Sequence, residues 1–371
     1  MIDRLDRGSV RALDAALISV HSLVRGAVAR LAEARAPDPS TRPAEAAFVR
    51  LEDLADASGL GVLYRPRIAE LRLDAESLFA QGESRRLAST ARYGTPDEPI
   101  GLDEGTTSLG GLAETLAVAR GAIDDSPPVA DPVGLLTTFA SSLGLSIRVV
   151  VEPSLVADAA SGERTLFLTD RPLGARAVAR LAAHEIAGHL TASANARAQP
   201  LAIARVGTAG SWDDQEGVAL ALEQECGLLD AARMRRLGAR AVAATVYVAG
   251  GDAADADARL RALDVDEGLR ATAVKRAFRA GGSARDLAYL RGFTRVASAL
   301  ASGATDLDEL RLGRVSIEAL PALRVLRSAG FVVDPIHRPS FLYSLSATFS
   351  GTSFAMSPPR RAASFTRFED T

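Results

Sequence analysis

The chain has 371 residues, 47% of them hydrophobic and 5% aromatic, enough apolar sequence for a full core in one large domain or two small ones. A formal net charge of −3, with basic residues scattered among acids, excludes a nucleic-acid face or a polybasic membrane patch from the expected partners. The single Cys226 cannot form an internal disulfide, which makes a reducing cytoplasm the default compartment.

In chain order, residues 1–92 read as an N-terminal helical region. Asp3, Arg4, Asp6 and Arg7 at its start do not form a secretory signal. Helical apolar spacing runs over 9–35 through Val10, Leu13, Leu17, Val20, Leu23 and Val24, with His21 as a structural residue. Prolines make Ala36–Pro43 a linker, and helices continue to about residue 92. A catalytic region over 93–335 opens with two loops, Gly94–Gly111 and Asp124–Pro132, around a helix at Leu112–Ala122. Leu145–Val151 and Arg164–Thr169 have strand character. A helix follows from about Pro172 to Asn195, then a turn around Pro200 and Gly207–Gly210, then a second helix. Ala231 to Ala329 is helical again, broken at Gly250-Gly251 and Gly281-Gly282. Its longest apolar stretch, around Ala241–Ala249, is too short to span a bilayer. Residues 336–371 read as a tail; Pro339–Thr371 is rich in Ser, Thr, Pro and Arg, and its end is expected to be disordered. The expected class is α+β, predominantly helical.

The chemistry concentrates in His184-Glu185-Ile186-Ala187-Gly188-His189, which holds two of the four histidines, and in Glu216 further on. Two imidazoles and a carboxylate are one of the recurring zinc sets of metal hydrolases, which leave a position open for water. The common zincin helix spaces its histidines four apart, whereas here the step is five. In a regular α-helix that step leaves the side chains about 140° apart. A one-residue π-bulge would return them to one face. Alternatively the helix could loosen at Gly188, since glycine costs roughly 1 kcal/mol relative to alanine inside a helix. The motif alone also fits a bland helix surface. Glu216 equally fits a capping box, three residues after a helix-starting Asp213.

Several blocks extend the pattern. Asn195-Ala196-Arg197-Ala198-Gln199-Pro200 follows the histidines, and Gln215-Glu216-Gly217-Val218-Ala219 opens the next helix. Arg276-Ala277-Phe278-Arg279, Gly281-Gly282, Arg285-Asp286-Leu287-Ala288-Tyr289-Leu290, Leu312-Gly313-Arg314-Val315-Ser316 and Leu320-Pro321 come in order downstream. Together they resemble the tyrosine carboxypeptidase family, which includes the microtubule-associated tyrosine carboxypeptidases and bacterial proteins with a QEGLA motif. The ordered matches cover about 165–330, with weaker echoes near Phe79 and Tyr93-Gly94. Ala196 stands where the family often has Gly, and Arg285 where it often has Lys.

The resemblance implies a zincin-like metallopeptidase with a small sheet beside the H-E-x-x-x-H helix. It also implies one zinc ion per chain, held by His184, His189 and Glu216, and Glu185 as general base for a zinc-bound water. Elementary chemistry supports these roles: zinc polarises a carbonyl and acidifies its water, and an adjacent carboxylate can carry the proton to the departing amine. Glu223, two turns beyond Glu216 at a position that is acidic in the family, is a candidate to accept the free N–H of a ligand histidine; a solvated helix carboxylate is the alternative. Tyr289, or Tyr247, is a candidate oxyanion donor, against a buried structural tyrosine. Arg197, Arg279 and Arg291 sit in the matching blocks and are candidates for a chain-terminal carboxylate. Only one of the 43 basic residues is a lysine, Lys275, so a single arginine signals little. His337 is a further candidate ligand. The implied reaction is hydrolysis of the C-terminal peptide bond of a peptide or protein. The alternatives are a zinc endopeptidase, an aminopeptidase, or a non-catalytic zinc-stabilised scaffold that binds peptides. One edge strand of the small sheet could hold an extended substrate by backbone pairing.

Overall fold

The structure, a computed structural model, describes residues 5–32, 38–102, 105–121, 127–155, 157–338 and 348–349. It is predominantly helical, with two small sheets. Four helices lead: α1 (Arg7–Ala32), α2 (Glu45–Ala57), α3 (Gly61–Phe79) and α4 (Gly82–Tyr93). The apolar spacing of α1 buries Val10, Leu13, Leu17, Val20 and Val24, while Leu23 faces outward. An antiparallel hairpin follows, β1 (Pro99–Leu102) with β2 (Gly105–Ser108), inside the segment expected to be a loop. The helix expected at Leu112–Ala122 begins earlier and is shorter, as α5 (Leu109–Ala117), because Ser108 caps it by accepting the Gly111 N–H.

After α6 (Pro132–Ser142) comes a three-stranded sheet of β3 (Arg148–Val151), β4 (Ala159–Ser161) and β5 (Thr165–Leu168). β5 lies in the middle, parallel to β3 and antiparallel to β4, a strand that carries no sequence signal of its own. The helix expected from Pro172 is continuous over α7 (Ala175–Leu181), a π-helical segment (Ala182–Leu190) and α8 (Thr191–Ala198). β4 packs against the π segment. The remainder is helical: α9 (Ile203–Val206), α10 (Ser211–Glu225), α11 (Ala231–Val248), α12 (Ala253–Ala262), α13 (Glu267–Phe278), α14 (Leu287–Ala301), α15 (Leu307–Leu310) and α16 (Leu320–Ser328). Aspartates begin several of these. Asp131, Asp230, Asp252, Asp266 and Asp306 each accept a backbone N–H at the start of α6, α11, α12, α13 and α15, satisfying donors a helix end leaves open.

Buried apolar side chains form two clusters. The first joins α1–α3, α6, β5, the π segment, α15 and α16; the second joins α5 and α11–α14. α10 borders both, giving Val218 and Leu222 to the first and Leu220 to the second. The π segment and α14 therefore meet across α10. Among the described residues no helix is long and apolar enough to cross a membrane. Of the expected tail, Pro339–Thr371, all but residues 348–349 lie outside the described residues.

Candidate metal centre

The π segment meets the five-residue spacing of the histidines. Its i→i+5 repeat brings residues five apart onto one face, and the His184 and His189 rings stand edge to face with centroids 5.0 Å apart. The relaxation spreads over nine residues instead of a single bulge. Gly188 lies within this segment and has a packing role as well. A Cβ there would lie 3.1 Å from Ala219 Cβ and 3.3 Å from Ala219 Cα, so glycine lets α10 approach.

That approach delivers Glu216. Its Oε2 lies 3.4 Å from His184 Nε2 and 3.5 Å from His189 Nε2. One ligand atom from each of the three side chains lies within 4.8 Å of the others, and among the described residues no other such group occurs. Glu216 is not part of a capping box. α10 is capped by Gly210 at φ 74°, and Asp213, inside the first turn, pairs with Arg291.

Glu216 Oε2 is buried without a hydrogen bond. A buried carboxylate oxygen left unbonded costs more than most single interactions contribute. A cation between the two imidazole nitrogens and this oxygen supplies the missing partner, so the donors fit a divalent metal. Without one, burial pulls the His184 pKa down, but the Glu216 and Glu223 carboxylates outweigh it and raise it to about 9. Burial likewise opposes ionisation of Glu216, yet the two imidazoles hold it well below the usual carboxylate range.

On the far side of His184, Nδ1 lies 2.7 Å from Glu223 Oε1. Glu223 is fully buried and gripped by Arg233, whose Nε and Nη2 donate to its two oxygens at 2.9 Å each. Burial pushes Glu223 up, but Arg233 and His184 outweigh it and hold it at about 2. Nδ1 therefore faces a permanent carboxylate, which aims Nε2 at Glu216. Glu185, beside His184 on the π segment, is mostly buried and acts electrostatically on that imidazole.

Tyr289 projects from α14, which crosses α10 so closely that Gly292 and the Asp213 backbone leave no room for a Cβ. Burial, then the nearby Glu216 carboxylate, raise its phenol above the ordinary value, so it stays protonated at neutral pH. Arg240 lies over its ring at 4.7 Å and Arg276 at 6.0 Å. Tyr247 packs elsewhere, edge to face with Phe278.

The three candidate arginines are scattered. Arg291 is taken up by Asp213 and Glu98. Arg197 donates to the Glu163 carbonyl and lines a cavity of about 220 Å³ with Arg164, Ser146 and His337. Arg279 is exposed in the turn after α13, with no bonded partner among the described residues. His337 stands apart from the cluster, its backbone tied to Asn195. His21 is held neutral, its pKa pulled to about 3 by burial and neighbouring arginines. Cys226 is buried, with its thiol pushed up by that burial.

Other motif residues turn out to be staples. Asn195 and Gln199 bond the backbone of Arg311, Leu312, Val333 and His337, and Gln215 bonds that of Leu310 and Val315. They pin the end of α15 and the chain after it against α8 and α10. Sequence reasoning missed Arg233, Arg240 and Asp286 as parts of the site. Asp286 and Arg276 lie in quoted blocks, but Arg233 and Arg240 are ordinary helix arginines in an arginine-rich chain.

Fold and site define a predominantly helical α+β chain with one buried two-histidine, one-glutamate centre. The sequence pattern of a family described as microtubule-associated tyrosine carboxypeptidase matches residues 33–357, and the chain belongs to that family. No curated protein matches it.

Proposed function

We propose that this chain is a zinc-dependent carboxypeptidase that hydrolyses the C-terminal peptide bond of a peptide or protein. The observation that carries the reading is the convergence of His184 Nε2, His189 Nε2 and the unbonded Glu216 Oε2. The family description supports cleavage at a chain end. These three residues would hold the metal, which when bound would polarise the scissile carbonyl and lower the pKa of water at its open position.

The chain's own residues supply the rest. Glu185 takes the proton of the attacking water and passes it to the leaving amine. Glu223, fixed by Arg233, keeps the His184 ring oriented. Tyr289, kept protonated, donates to the oxygen that gains charge as the carbonyl is attacked. A sheet beside the metal helix suits a zincin-like arrangement, with an edge strand, β3 or β4, free to pair with an extended substrate. The cytoplasmic location expected from the lone cysteine belongs to the same proposal.

The test is hydrolysis, by the zinc-supplied chain, of matched peptides with a free or an amidated C-terminus. Release of the last residue from the free peptide alone is expected. Cleavage of both at an internal bond would replace this reading with an endopeptidase.

A further inference from the structure

Of the arginines expected to recognise a terminal carboxylate, Arg197 and Arg291 are engaged and Arg279 is exposed, whereas Arg276 packs beside Tyr289. On α14, Asp286 lies one turn before Tyr289 and is shared by two guanidinium groups. Arg240, from α11, spends Nε and Nη2 on Asp286 Oδ1. Arg276, from α13, spends only Nε, at 2.9 Å from each Asp286 oxygen. Its Nη1 and Nη2 have no partner among the described residues, and its side chain keeps 31% of its exposure where that of Arg240 keeps 11%.

Two cations thus share one hydrogen-bonded carboxylate beside Tyr289. Partly buried charge of this kind persists where a ligand completes it. The unused pair of Nη groups is the edge of a guanidinium that grips a carboxylate with two parallel bonds. Gly217, next to Glu216, packs so closely on Gly292, one turn beyond Tyr289, that a Cβ would not fit; Arg276, 6.0 Å over the Tyr289 ring, therefore belongs to the helix face that meets α10.

We propose that Arg276 binds the α-carboxylate of the substrate's last residue, with Asp286 and Arg240 as positioning residues. The inference rests on the carboxypeptidase reading and adds its recognition element. It makes a free C-terminus favour binding as well as turnover.

The test is fluorescence anisotropy on the full, zinc-supplied chain carrying Glu185→Gln to block turnover. The probe is a labelled octapeptide ending in tyrosine, with a free carboxylate or a C-terminal amide. The parent should favour the free acid by about tenfold or more, the scale of a charge-assisted bidentate contact. Arg276→Gln should erase that preference while binding the amide as the parent does; Arg276→Lys, which keeps the charge and loses the fork, should fall between. Unaltered amide binding also shows that the variant is folded. A preference retained in Arg276→Gln overturns the assignment alone. A parent that binds both peptides equally, or neither, overturns the assignment and the carboxypeptidase reading together.

Discussion

Glu223 answers to two partners with one carboxylate, aiming His184 and neutralising Arg233, and all three are buried. Glu223→Gln keeps the size but weakens both bonds. It should lower zinc affinity about 10–100-fold, as loss of a ligand's hydrogen-bond partner does, measured by competition with a chelating dye. Unchanged affinity would mean that His184 is oriented by its packing alone. Glu185→Gln should behave in the opposite way. It should retain zinc and lose about 10²–10⁴-fold in kcat, the scale of general acid–base catalysis, by elemental analysis and a peptide assay on the same sample. Loss of zinc together with activity would reassign Glu185 to the ligand set. The three residues that converge here were legible only through the family resemblance, since the spacing of 184, 189 and 216 alone fits a helix surface and a capping box equally well. Arg233 was not, because a helix arginine acquires meaning only when another helix brings a buried carboxylate to it.

At the scale of elements, glycines set how closely helices approach. Gly292→Ala drives a Cβ into the Asp213 backbone and should destabilise by about 1–3 kcal/mol. Gly26→Ala, inside α1 with open space around it, should instead stabilise by up to about 1 kcal/mol. Paired thermal melts check both, and similar shifts for the two would refute the packing argument. Asp286 ties α11, α13 and α14 through Arg240 and Arg276. Burial would raise its pKa, but the two arginines outweigh it and lower it to about 2. A depressed pKa contributes stability that is present above the unfolded value of 3.8 and lost as pH falls through 2. The difference amounts to about 2 kcal/mol. Asp286→Asn should therefore flatten the loss of stability between pH 4 and pH 2; an unchanged acid profile would remove Asp286 from that role. The π segment shows what sequence conveys at this scale. A five-residue step demanded a departure from α geometry, but its extent depends on how α10 packs at Gly188. The β1–β2 hairpin and β4 stayed hidden because three- or four-residue strands carry too little alternation to register.

For the whole molecule, the arrangement of two apolar clusters around α10 explains why residues far apart in sequence converge. The first cluster fixes the π segment and the second fixes α14; α10 presents Glu216 to one and receives Tyr289 from the other. Helical composition made the fold class legible, whereas the partition into two clusters depends on which faces pair and is not written in any single helix. The staples at Asn195, Gln199 and Gln215 illustrate the same point. They read as part of a family pattern, and their side chains bind backbone and hold the frame. The central claim is that this frame assembles a zinc site. Elemental mass spectrometry of the wild-type chain, His184→Ala and Glu216→Ala, each purified after zinc supply, tests it most directly. Close to one zinc per wild-type chain and its loss from both variants are expected. A folded wild-type chain that retains no zinc would contradict it.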